Sequence, residues 1–396
     1  MHFALIADTF PPMRASGAVQ LRDLSREFVR QGHSITVILP TASLPSSWDL
    51  ENIDGVKVLR LHALNNKDIN YISRTINEIL MPFVMLRNFR KSPVAENRWD
   101  GVIWHSPTIF LGPIAKVLMS ASSCKGYLII RDIFPEWAAD MGLMGRGLPY
   151  KFFKAVANYQ YSVANVIGVQ APGNCVYFDS WRHGPERKLE VLQNWLGMPA
   201  KDFCPIRVSE TALAGRKVFV YAGNMGIAQG MDILIDLAEK FLHRRDVGFL
   251  FVGRGSDSNR LKASTKARKM DNVLFFDEIH PDEIPDLYAQ CSAGIVALDP
   301  RHQSHNIPGK FLTYMQSGLP VLANVNAGND LAQMIRNEQV GQVCESNLVN
   351  DLVQFANQLM DQIESDAQIS SRCRNLFERE FTVEKTVRQI VSALSA

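Results

Sequence analysis

The chain has 396 residues, enough for two ordinary domains, and its 46% hydrophobic and 21% charged content excludes a disordered polymer. Residues 1–197 hold 21 Lys and Arg against 16 Asp and Glu, while the remainder holds 21 against 24, so an anionic partner is expected on the first half. Six scattered cysteines without a Cys-x-x-Cys pair argue against a disulfide framework or a zinc site, and the dispersed Lys and Arg against a nucleic-acid footprint.

In chain order, the first apolar run, residues 2–7, is too short for a signal peptide and reads as a β-strand, which suggests a cytoplasmic setting. A helix from near Val19 to Arg30 follows. Further strands are expected at 34–39, 55–60, 100–104, 126–131, 165–169 and 189–192. The turn residues 194–199, with Gly197 and Pro199, mark a domain boundary after Gly197. The rhythm restarts near Gly215 with strands at 217–222, 247–252, 272–276, 293–298 and 320–323. A last helix, about 376–396, carries an apolar stripe through Leu376, Phe381, Val387, Ile390 and Leu394 and is expected to pack back on the first domain. Alternating strands and helices define an α/β chain of two doubly wound, Rossmann-like domains, 1–197 and 198–375.

Ligands of such sheets bind beyond the C-terminal strand ends, where four loops stand out. The loop after the first strand, residues 8–18, brings Ser16 and Gly17 to a helix N-terminus, whose bare N–H groups attract anions. An ordinary βα turn is the equal alternative, because a dinucleotide loop would need Gly-x-Gly-x-x-Gly. Residues 221–230 place Gly223, Asn224, Gly226 and Gln229 in the first βα turn of the second domain; three glycines there favour a ligand over a structural turn. Arg254, between Gly253 and Gly255, is either an anion clamp or a surface charge. Asn306, Ile307, Pro308, Gly309 and Lys310 precede a short helix that Gly318 ends, so that a full positive charge joins a helix dipole, an arrangement suited to a diphosphate. His105 and Asp132 also stand at strand ends, where either a site or a structural role is open. No two aspartates form an Asp-x-Asp pair, so no metal is expected, and phosphate charge falls to Lys, Arg, backbone N–H groups and helix dipoles.

Taken together, Phe10-Pro11-Pro12, Gly32-His33, His105-Ser106-Pro107, residues 131–136, Gln193-Asn194-Trp195, Gly223-Asn224-Met225-Gly226, Val252-Gly253 and Ile307-Pro308-Gly309-Lys310 with Tyr314 and Gly318-Leu319-Pro320 resemble glycosyltransferase family 4 over essentially the whole chain. More narrowly they resemble the L-fucosamine (N-acetylfucosamine) transferases of bacterial O-antigen and capsule assembly. The resemblance implies a GT-B fold, with an acceptor-binding first domain and a donor-binding second one. It implies a retaining transfer of a deoxy-amino sugar from a nucleotide diphosphate, UDP by preference, to a polyprenyl-diphosphate-linked saccharide, with no cofactor. His105 and Asp132 would orient sugar or acceptor hydroxyl groups.

Two departures stand against the family pattern. The cations usual after the first glycine and five residues later are replaced by Asn224 and Gln229, and the usual Glu-(seven)-Glu pair by His305 and Thr313. Lys310, with Arg254, is then expected to meet the leaving diphosphate, and Thr313 or backbone groups the ribose. A non-hydrolysing sugar-nucleotide epimerase of GT-B fold and a non-catalytic two-domain binding protein are the rival readings.

Residues 79–86 are continuously apolar and lead into basic residues, so Phe83, Arg87, Arg90 and Lys91 form a candidate contact with the inner face of the cytoplasmic membrane. A buried helix kinked at Pro82 is the equal alternative; the run is too short to span a bilayer. Lys151-Phe152-Phe153-Lys154 is a second basic-aromatic stretch.

Overall fold

The computed structural model describes residues 1–13, 15–66, 69–198, 203–226, 229–299, 301 and 307–395. Two compact units result, Met1–Gln193 with Val383–Ala396, and Asn194–Thr382.

Unit one is built on an eight-stranded sheet: β1 (His2–Ile6), β2 (Ser34–Thr41), β3 (Trp48–Ile53), β4 (Val56–His62), β5 (Gly101–His105), β6 (Lys125–Ile129), β7 (Val166–Val169) and β8 (Lys188–Val191). The order is β3-β4-β2-β1-β5-β6-β7-β8, parallel throughout except for β3 against β4. Its central strands are continuous apolar runs because helices cover both faces. Phe3, Leu5, Val37, Ile103 and Leu128 are all buried. The strand path reverses between β1 and β5, and their C-terminal ends define a switch point.

Unit two has a six-stranded sheet of β9 (Lys217–Ala222), β10 (Val247–Val252), β11 (Val273–Phe276), β12 (Ala293–Ala297), β13 (Val321–Asn324) and β14 (Gly341–Cys344), ordered β11-β10-β9-β12-β13-β14 and parallel in every pair. Here the switch point lies between β9 and β12.

Three expectations are corrected. The strands β3 and β14 join the expected set; β3 is a polar edge strand, Trp-Asp-Leu-Glu-Asn-Ile, which apolar-run reasoning passes over. The first unit ends at Gln193 rather than Gly197, and Asn194 already bonds within unit two. The last helix is two helices, Ile369–Glu380 and Val383–Ser395, and only the second belongs to unit one. The break has a local cause: Leu196 donates its N–H to the carbonyl of Phe381 and bridges Thr382 in parallel fashion, which pulls Thr382 out of the helix. The apolar stripe continues across the break because each helix buries it, in a different core.

Candidate functional site

In unit two the site grows from the β9–β12 seam. Gly294 leaves room for the ring of Tyr314 against the sheet; a Cβ at Gly294 would fall 2.5 Å from that ring. The Tyr314 hydroxyl sits 3.1 Å from the carbonyl oxygens of both Val220 and Ile295, one on each side of the seam, where it serves as donor. The helix Gly309–Ser317 is thereby fixed over the switch point. Gly318, at φ 72°, ends it, as expected from sequence.

At the other end of that helix, Pro308 occupies the cap position in extended conformation and offers no side-chain cap. The first-turn N–H groups therefore keep anion-binding capacity. The buried Ile307 carbonyl accepts a hydrogen bond from Asn194 Nδ2 at 2.8 Å, which anchors the approach to the helix. Lys310 is the second residue of the helix and lies in its first turn. Its Nζ lies 4.5 Å from the centroid of the Tyr221 ring, and its Cε is 3.6 Å from where a Gly223 side chain would begin. Burial lowers the Lys310 pKa to about 8, and among the described residues no carboxylate lies within ion-pairing distance. Its stem is packed but its surface is partly open. The arrangement is a half-desolvated cation held by a π face, with its charge unspent.

The two glycine-rich loops beside Lys310 lock together through the glycines of the second. Gly253 (φ 140°) and Gly255 (φ 156°) back onto the other loop so closely that a Cβ on either would collide with the carbonyl of Gly223 or Met225. Hydrogen bonds complete the lock: Gly223 N–H to Val252 O (2.9 Å), Met225 N–H to Arg254 O (2.8 Å) and Asp257 N–H to Met225 O (3.0 Å). Sequence reasoning took three glycines at 223–230 as a ligand signal; of these, Gly230 backs onto the Asp299 backbone, while a Cβ at Gly223 would face the Lys310 side chain and one at Gly226 those of Asn224 and Gln229.

Other expected residues find partners of their own. Gln229 Oε1 accepts from Gly226 N–H (3.0 Å) and Asn224 Nδ2 (3.3 Å), so the two positions without the family's cations close the loop on itself. Arg254 is exposed and pairs with Glu278 at 3.1 Å, which makes it an ion-paired surface charge rather than a bare clamp. The Thr313 hydroxyl is donated to Gly309 O at 3.3 Å. Asn306 and His305 lie outside the described residues.

In unit one the switch point gathers the remaining candidates. The helix Ser16–Arg30 begins at the exposed Ser16, with no side-chain cap from Ala15. A Cβ on Gly17 would stand 3.4 Å from Thr9 and 3.9 Å from the His105 ring. His105, at the end of β5, is buried, and neither ring nitrogen has a hydrogen-bond partner. Burial, with Arg131 adding to it, lowers its pKa to about 3, so the ring is neutral at any physiological pH. Arg131, after β6, donates to the carbonyls of Leu192 (2.9 Å) and Gln193 (3.3 Å), the last residues of unit one before the crossover. Asp132 is exposed, and its carbonyl accepts from Ser106 Oγ at 3.2 Å. Glu136 is buried against Lys154. Unpartnered buried polar atoms at strand ends, His105 Nδ1 and Nε2 with Gln193 Oε1, are what a ligand hydroxyl would satisfy. Sequence reasoning missed Tyr221 as the seat of Lys310 and Asn194 as the anchor of Ile307; both pairings join residues far apart in the chain.

Residues 216–362 match the model of the family described as Glycosyl transferases group 1. The chain is 23% identical over 349 residues to WcaI of Escherichia coli (strain K12), a glycosyl transferase assigned to colanic acid biosynthesis, covering 80% of this chain and 79% of that protein. Among solved structures it is similar to sucrose-phosphate synthase from Thermosynechococcus elongatus (TM-score 0.75, 14% identity, 99% and 97% of the two chains). It is also similar to HepE of Anabaena in complex with UDP and glucose (TM-score 0.70, 16% identity, 99% of each chain). The fold is thus that of the GT-B glycosyltransferases over the whole chain, and unit two carries the group 1 match. The class so defined is a glycosyltransferase.

Proposed function

We propose that this chain is a retaining, metal-independent glycosyltransferase of surface polysaccharide assembly. It moves a deoxy-amino sugar of the L-N-acetylfucosamine type from UDP to a polyprenyl-diphosphate-linked saccharide at the inner face of the cytoplasmic membrane. Unit two takes the donor and unit one the acceptor. The observation that carries this is Lys310, an unspent, partly desolvated cation at a helix N-terminus on the switch point of unit two. Departure of the nucleotide leaves negative charge on the diphosphate, and a preset cation with bare N–H groups stabilises that charge without reorganisation. The UDP complex of HepE supports a nucleotide diphosphate as the ligand, and the WcaI relative supports a polysaccharide product. Neutral, buried His105 suits hydrogen bonding to a sugar hydroxyl, not proton abstraction. Asp132 remains the candidate for orienting the acceptor, Ser16 and Gly17 for contact with the donor, and Arg254, freed from Glu278, for a secondary phosphate contact.

The test is nucleotide release from UDP-, GDP- and dTDP-sugars by the purified chain, with membrane extract as acceptor and with EDTA present. Acceptor-dependent UDP release that survives EDTA is expected. Lys310→Ala should lower kcat/KM by about 10²- to 10³-fold, the usual cost of one preorganised electrostatic contact. Donor conversion without acceptor would select the epimerase, and an unchanged Lys310→Ala enzyme would remove the leaving-group role.

A further inference from the structure

The helix Tyr71–Phe89 buries only its second half. Met81, Pro82, Met85, Leu86 and Phe89 face the unit-one core, whereas no residue between 71 and 80 is buried. That first half is nevertheless apolar on its outer side. Ile72 is 75% exposed, Ile76 51%, Leu80 44% and Phe83 57%. At about 100° per residue these four fall within an arc of about 80°, and Arg87 and Arg90 continue the same line. The part of this stripe that the fold leaves uncovered is apolar surface available to something outside it. The run 79–86, which drew attention in the sequence, is mostly the inward face; Ile72 and Ile76 lie outside that run.

We infer that this stripe is the membrane-docking face of the protein, lying flat in the interface of an anionic bilayer. The inference rests on the proposal of a lipid-linked acceptor. Three observations commit it to that occupant. Residues 71–91 carry four basic side chains and one acid, and the acid, Glu78, is already paired with Arg74 at 2.9 Å, which leaves Arg87, Arg90 and Lys91 as exposed charge for lipid phosphates. Ile72 to Phe83 spans about 17 Å, too short to cross about 30 Å of hydrocarbon but suited to lying in its surface. The helix Gly112–Ser122 packs between this helix and Leu148–Val163, whose Leu148 and Phe152 are also exposed beside Lys151, so the same helical layer offers a second basic-apolar contact.

The test is sedimentation of the full chain with vesicles of phosphatidylglycerol or of phosphatidylcholine. The chain should pellet with phosphatidylglycerol at low salt and far less with phosphatidylcholine. Ile76→Glu/Leu80→Glu should weaken binding by about tenfold or more, and Arg87→Gln/Arg90→Gln/Lys91→Gln should remove the preference for the anionic lipid. All five sites lie at the surface, and an unchanged melting curve checks that the variants fold. The inference is overturned if the wild-type chain stays in the supernatant, if both variants bind as it does, or if Ile76→Glu/Leu80→Glu instead dissolves a concentration-dependent dimer. UDP affinity, read on the same samples by calorimetry, separates the two proposals: loss of vesicle binding with UDP affinity intact touches the docking face alone.

Discussion

Lys310 shows how one side chain is tuned by what it lacks. Without a carboxylate in reach among the described residues, its ammonium is charged against burial, and the Tyr221 face compensates only in part, so its pKa drops to about 8. The sign of the consequence follows. The protonated form is the one that meets a diphosphate, and it disappears as pH rises through about 8. The rate at low donor, kcat/KM, should therefore fall above pH 8. The limb in kcat should move to higher pH, because bound diphosphate favours the charged ammonium. His105, held near 3, should contribute no acid limb at pH 6 to 7. A pH profile with an acid limb near 6.5 that vanishes in His105→Gln would contradict this assignment. The residues themselves were legible in the sequence as strand-end and loop residues, but their electrostatic states were not, since those depend on Tyr221 and Arg131, which only the fold brings near.

At the scale of elements, the loops after β9 and β10 behave as one piece. Gly253 and Gly255 are required by backbone against backbone, in the region of positive φ that side chains avoid. Gly253→Ala should cost about 2–4 kcal/mol, more than an ordinary loop substitution, because strain and collision with the Gly223 carbonyl add. Gly215→Ala, also at positive φ but with open space around it, should cost only about 1 kcal/mol from strain. Equal losses in chemical denaturation would mean that the interlock carries no weight. Most parallel strands were legible because burial on both faces leaves unbroken apolar runs, as in Val247–Val252, but the short parallel edge strand β14, Gly-Gln-Val-Cys, has no such run and was not legible. Strand β3 was not, because an antiparallel edge strand alternates polar and apolar and resembles a loop. The glycines themselves were seen, but at Gly253 and Gly255 a sequence shows only that glycine is present, not which backbone approaches it.

On the scale of the whole molecule, the chain closes on its own beginning. After unit two it re-enters unit one at Val383, and the helix Val383–Ser395 packs on Ser16–Arg30 and on β6. Gln389 donates to Glu190 Oε1 and Val191 O on β8, Gln31 donates to Glu384 O, and Leu394 lies over Gly101 of β5, where any added Cβ would meet it. Unit one is therefore discontinuous in sequence. The returning helix completes the packing around Ser16–Arg30 and β6. Sequence periodicity placed the apolar stripe correctly but could not assign its two halves to different cores, because the deciding contact, Leu196 with Phe381 and Thr382, spans almost 190 residues of intervening chain. Leu394→Ala should then destabilise unit one by about 2–4 kcal/mol, the range for a large buried side chain cut to Ala. The loss should appear in hydrogen exchange as faster opening of β1, β5 and the helix Ser16–Arg30, while β9, β10 and β12 keep their protection, as expected of units that open separately. Equal acceleration in both sheets would show instead that the two units unfold as one, and that the returning helix serves the whole chain rather than its first half.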